Sequence, residues 1–144
     1  MNRKYIFICI LISVLTLTSC IYEWFNYYTV TGTVVGDIDG DGINEPVQGM
    51  CIVSGPVSSV NGDMTFDGME VISDENGEFS FIWKTIGNPK YGYNLGKVVL
   101  TIEDIDGNEN GTFNSKTVEA DFSKYNHAND ASPVIGLGEI ILSK

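Results

Sequence analysis

Residues 73–83 read Ser73-Asp74-Glu75-Asn76-Gly77-Glu78-Phe79-Ser80-Phe81-Ile82-Trp83, a turn followed by an alternating run. Asp74 to Gly77 is built of turn formers, and Asn76-Gly77 supplies the positive φ angles that a tight hairpin needs. Beyond the turn Phe79, Phe81 and Trp83 recur at every second position, so an extended chain points all three aromatics to one face. A period of two, with no competing period of 3.6, predicts a strand that buries one side.

The same reading extends outward in both directions. Tyr28 to Val35 sets Thr29, Thr31 and Thr33 against Val30, Gly32 and Val34. Further runs follow at Met50 to Ser54, Met69 to Ser73, Val98 to Glu103, Thr117 to Phe122 and Glu139 to Leu142, which with Glu78 to Trp83 makes seven strands. Besides the aromatic face, Val98, Leu100 and Ile102 share one side of their strand, and Val118, Ala120 and Phe122 share one side of theirs. No amphipathic stretch of helical length, internal repeat or low-complexity tract interrupts this pattern. Sixteen glycines, 11% aromatic and 43% hydrophobic residues in a chain of 144 suit one turn-rich domain with a packed core. The expected fold is all-β, a seven-stranded antiparallel β-sandwich.

The start of the chain follows other rules. Arg3 and Lys4 precede an apolar run from Tyr5 to Leu17, which ends in Leu17-Thr18-Ser19-Cys20. This resembles a bacterial lipobox, an aliphatic residue three positions before an acylated cysteine with small residues between them. The run is short of the ~20 apolar residues a membrane span needs. The expected organisation is a signal peptide at 1–19, a lipidated tether at 20–27 and a β-sandwich at 28–144. Loss of Arg3 and Lys4 leaves 6 Lys+Arg against 19 Asp+Glu. Such an acidic chain repels the phosphates of nucleic acid. Cys9 leaves with the signal peptide and Cys20 carries lipid, so Cys51 has no disulfide partner and is expected to be a buried strand residue.

Two resemblances bear on family. Val30-Thr31-Gly32-Thr33-Val34, Pro46-Val47-Gln48-Gly49-Met50 and the segment Ser73 to Phe81 follow in the order seen in the carboxypeptidase regulatory-like, transthyretin-like sandwich, a relative in outline of immunoglobulin-like domains. Glu103-Asp104-Ile105-Asp106-Gly107-Asn108-Glu109-Asn110-Gly111, then Phe113, Ser115-Lys116-Thr117-Val118 and Asp121-Phe122, is similar to lipoproteins encoded beside radical SAM proteins. That resemblance implies a cell-envelope protein with a radical SAM partner, and implies no catalytic residues. One departure from it is the Asp-rich expansion from Gly36 to Glu45, where the family has a short turn.

Chemistry is concentrated in that expansion. Asp37, Asp39 and Asp41 alternate, and Gly40 and Gly42 let the chain curl until the carboxylates, the Ile43 carbonyl and Glu45 face one centre. Hard oxygen ligands on a flexible loop suit weak calcium binding. Gln48 stands where an EF-hand has its bidentate Glu, and a strand precedes the loop, so an EF-hand is rejected. A water-solvated acidic turn is the alternative. Asp104, Asp106, Asn108 and Asn110 repeat the alternation with half the charge, and there the ordinary turn is expected. His127 lies in a polar stretch, Ser54-Gly55-Pro56 lacks a nucleophile-elbow pattern, and no catalytic set can be assembled. Tyr22, Trp24, Phe25, Tyr27 and Tyr28 either meet the membrane interface or begin the first strand, with core packing expected. Tyr91 and Tyr93 offer a weak sugar-stacking pair.

These readings describe a non-enzymatic lipoprotein of the bacterial outer membrane, with the periplasmic face favoured and the cell surface as the alternative. Its roles would be a binding or accessory module linked to a radical SAM system, a structural or adhesive subunit docking through an edge strand, or a polysaccharide binder.

Overall fold

The computed structural model describes residues 25–59, 65–86, 95–125 and 132–144. The expected signal peptide, Cys20, Tyr22, Trp24, Tyr91, Tyr93 and His127 lie outside them. Strand β1 (Phe25–Gly36) runs through the middle of one sheet and starts three residues before the alternation becomes legible at Tyr28. The chain then forms β2 (Glu45–Pro46), β3 (Cys51–Ser54), β4 (Val57–Ser58), β5 (Thr65–Phe66) and β6 (Met69–Ile72). It continues through β7 (Glu78–Ile86), β8 (Lys97–Glu103), β9 (Lys116–Asp121), a 3-10 turn η1 (Phe122–Lys124) and β10 (Val134–Ile141). Each of the seven expected strands is present. The three additional ones, β2, β4 and β5, are two residues each, too short for any period to show.

β1 is flanked on one side by β10 and on the other by β7, with β2 continuing that second edge. β7 pairs antiparallel from Phe25↔Ile86 to Thr33↔Glu78. β10 pairs in parallel, from Thr29↔Val134 to Val35↔Ile141, with a register shift between Thr31 and Thr33. This parallel pair departs from the all-antiparallel expectation. Adjacent strands joined by tight turns must run antiparallel, but β10 reaches β1 from the far end of the chain and is free of that constraint. The second sheet has the order β6-β3-β8-β9 and is antiparallel throughout.

The two sheets bury one core between them. Val30, Val34, Phe79, Phe81 and Trp83 enter from the first sheet, and Ile52, Val98, Leu100, Ile102 and Ala120 from the second. Val118 is partly buried and packs against the same cluster. Phe81 stacks on Trp83 with ring centroids 5.5 Å apart, and Tyr28 meets Phe122 edge-on at 5.3 Å. Edge and stacked pairs of this kind add about 0.5–1.5 kcal/mol each beyond the area they bury. The aromatic series 25–28 is divided by strand parity: Tyr28 is core, whereas Phe25 and Tyr27 stand on the outer face.

The turn at Asp74–Gly77 differs in detail from a simple Asn-Gly hairpin. Gly77 has φ +69°, and no residue other than glycine has positive φ among the described residues. Asn76 therefore stays on the ordinary side, and Asp74 does the rest. Its carboxylate accepts the N–H groups of Asn76 at 2.9 Å and Glu78 at 2.8 Å, while its carbonyl accepts that of Gly77 at 2.9 Å. An Asx-type bond to the backbone replaces the second left-handed residue.

Candidate functional site

β1 fixes where the acidic segments gather. It ends at Gly36, and the loop after it lies at the end of the sandwich opposite Phe25. The loop between β8 and β9 arrives at the same end, because Glu103 pairs with Cys51 at the end of the second sheet remote from Lys97. A Cβ at Gly36 would sit 2.5 Å from the Phe113 ring, and one at Gly111 would be 3.7 Å from Ile38 Cα. Phe113, buried under the first loop, thus ties together two Asp-rich segments far apart in sequence. Lys144 closes the group by donating from Nζ to the Ile38 carbonyl at 3.0 Å.

Within the first loop Asp37, Asp39 and Glu45 each offer a carboxylate oxygen, and the three oxygens lie within 4.8 Å of one another. Ligands on a calcium ion sit 2.3–2.6 Å from its centre, so two of them can be at most about 5 Å apart. The trio meets that condition. Asp41 is not in it: its Oδ1 accepts the Ile43 N–H at 2.7 Å. The Ile43 side chain is exposed, and the residue's N–H is committed to Asp41. The loop is shaped by its own carboxylates. Asp37 accepts from the Gly40 and Gly42 N–H groups at 2.6 and 3.1 Å, Asp39 from Asp41 at 3.1 Å, and Glu45 from Ile38 at 3.2 Å. Gly40 and Gly42 have φ near +85° and +89°, the curl expected from their placement.

The second loop is held largely by its own side chains. Asp104 accepts the N–H groups of Gly107 at 3.1 Å and Phe113 at 3.0 Å, Asp106 Oδ2 accepts the Asn110 amide at 2.6 Å, and Asn108 Oδ1 accepts the Thr112 hydroxyl at 2.7 Å. Asp106 Oδ1 is buried without a donor among the described residues. The network is that of an ordered turn.

A second feature was not legible in sequence. An open groove of about 610 Å³ crosses the outer face of the first sheet, lined by Thr31, Thr33, Ser80, Asp74 and Glu78 with Gly136 and Gly138 on its far side. Gly32 and Phe79 complete the lining, so the groove's composition emerges only from the register of three strands.

Cys51 is a free, buried thiol on β3. Burial pushes its pKa up, and the nearby Glu70 and Glu103 carboxylates push it further the same way. That is the reverse of what a reactive thiol requires.

No protein-family model matches the chain, and no curated protein matches it. Among solved structures it is similar to the major plantain pollen allergen Pla l 1, at 12% identity and a TM-score of 0.45, over 81% of this chain and 92% of that one.

Proposed function

We propose that the chain is a non-enzymatic lipoprotein of the bacterial outer membrane, held through Cys20, whose sandwich is a binding or accessory module with a calcium-ordered loop. A radical SAM protein or another envelope protein is its partner class. The observation that carries this reading is the polarity of the domain. β1 begins five positions after Cys20 and extends for 12 residues, about 40 Å, to the loop where Asp37, Asp39 and Glu45 converge. The end of β1 nearest Cys20 in sequence and the acidic loop are therefore opposite ends of one strand. A lipobox, a tether too short to act as a spacer and a cation-accepting loop at the far end suit a protein presented from a membrane surface. Calcium would be held by Asp37, Asp39 and Glu45, with Asp41 supporting the loop backbone.

The test is the native protein purified from its envelope. It should partition into detergent and carry acyl mass at Cys20, and Cys20→Ser should remain an uncleaved precursor. Recovery of normally processed, membrane-bound Cys20→Ser protein would sink the anchor. The same mass measurement bears on the radical SAM partner: a further side-chain mass change supports maturation, and an otherwise unmodified chain argues for a plain binding role.

The groove favours a second reading, a hydroxylated ligand such as a polysaccharide, because three hydroxyls and two carboxylates stand beside Phe79 and three glycines in its lining. Titration with envelope polysaccharide should show binding that Thr31→Arg removes. Equal heats for the two proteins would dismiss it.

A further inference from the structure

Strand parity leaves an apolar area at one place on the outer face of the first sheet. Phe25 is 37% exposed, Tyr27 41%, Ile82 56% and Val134 56%. The register makes them neighbours: Thr29 pairs with Ile82 on one side and Val134 on the other, and Tyr27 pairs with Lys84. Lys84 Nζ lies 3.7 Å from the centroid of the Phe25 ring. In a chain with 19 acids, this area holds one lysine and no acid among the described residues. Further along the same face the surface turns polar and acidic, with Thr31, Thr33, Glu78 and Asp74 around the groove.

We infer that this anchor-end face rests on a phospholipid surface, with Phe25, Tyr27, Ile82 and Val134 in contact with it and Lys84 at its border. The inference rests on the acylation of Cys20 proposed above. Four residues separate Cys20 from Phe25. At 3.3–3.6 Å per residue, the five steps from Cys20 to Phe25 span at most about 18 Å, so the patch is leashed to the bilayer by its own chain. Effective concentration at that distance is high, and weak contacts suffice. Aromatic rings suit the headgroup level, where one edge is apolar and the other wet. Lys84 can lay its methylenes along the ring while its ammonium reaches lipid phosphate. The acids around the groove and in the Asp37–Glu45 loop are kept away from that negative surface.

The experiment uses the acylated full-length protein in vesicles of phosphatidylethanolamine and phosphatidylglycerol, in a Cys51→Ala background, with a nitroxide at Ile82→Cys or at Val99→Cys. Val99 is similarly exposed, at 48%, but stands on the outer face of the other sheet. The mass of the mature chain is read first, and melting curves confirm that both labelled proteins are folded. The expected result is a severalfold higher ratio of collisions with oxygen over a water-soluble nickel chelate at position 82 than at position 99. An acylated, vesicle-bound, folded protein whose two labels are equally water-exposed overturns the docking and leaves the anchor standing. A mature chain without acyl mass at Cys20 overturns both.

Discussion

Phe81 is 1% exposed, stacked on Trp83 and packed edge-on against Phe79 at 6.1 Å. Truncation to Ala would leave a cavity bounded by two other rings that cannot collapse into it without losing their own contacts. Phe81→Ala should therefore cost about 3–5 kcal/mol, read as a fall in the midpoint of urea unfolding with unchanged slope. Cys51 makes a different kind of prediction. Its thiol should resist a water-soluble disulfide reagent in the native protein and react fully after denaturation, whereas rapid native labelling would mean that β3 opens. The raised pKa also sets a sign with pH. The folded state holds the proton more tightly than the unfolded state, so this contribution is complete below the ordinary thiol range and declines as pH rises through it.

The segment from Asp37 to Glu45 is where an ion would change an element. Like charges 4 Å apart repel by about 1 kcal/mol per pair in water and by more where water is excluded, and a cation reverses that sign. Asp37, Asp39 and Glu45 supply three oxygens at suitable spacing, and the bidentate acid of an EF-hand is missing, so binding should be weak, on the order of 10⁻⁴ to 10⁻³ M. Millimolar calcium should raise the melting temperature of the wild type relative to chelator, by mass action on the folded state. Asp39→Ala should abolish the shift, and Asp41→Asn should retain most of it because Asp41 serves the Ile43 N–H rather than the trio. Equal curves with calcium and chelator would reduce the segment to an acidic turn.

Closure of the whole domain depends on its last strand. β10 covers one edge of β1 with a parallel ladder and delivers Ile140 to the core, and Leu142 just after it follows, each 4% exposed. Beyond it, Leu142 N donates to the Val35 carbonyl at 2.8 Å and Asn114 N to the Ser143 carbonyl at 2.8 Å, so this segment ties the first sheet to the loop between β8 and β9. A chain ending at Pro133 would uncover the middle strand and leave a long unpaired edge. It should be protease-sensitive and aggregate, whereas resistance equal to the full chain would show that the remaining strands suffice. Because β1 and β10 are separated by most of the domain, their pairing should come late in folding.

Which side of β7, β8 or β9 faces inward could be read directly from residues such as Phe79, Phe81, Leu100 and Ala120, because alternation is a property of a strand alone and burial rewards it wherever the strand is placed. The Asp37–Glu45 loop was equally visible, since its carboxylates and glycines are contiguous and its curl is local. Other features had no local signature. Nothing within β1 or β10 states that they pair in parallel, since that follows from covering the edge of β1 that β7 and β2 leave open. Asp41 alternates with Asp37 and Asp39 in sequence, yet the curl of the loop leaves its carboxylate outside the group that Asp37, Asp39 and Glu45 form. The meeting of Ile38 with Gly111 and Phe113, and of Tyr27 and Ile82 on one outer face, joins positions tens of residues apart. Such neighbours are set by strand register within a sheet and by the packing of one sheet on the other, which no short window of sequence contains.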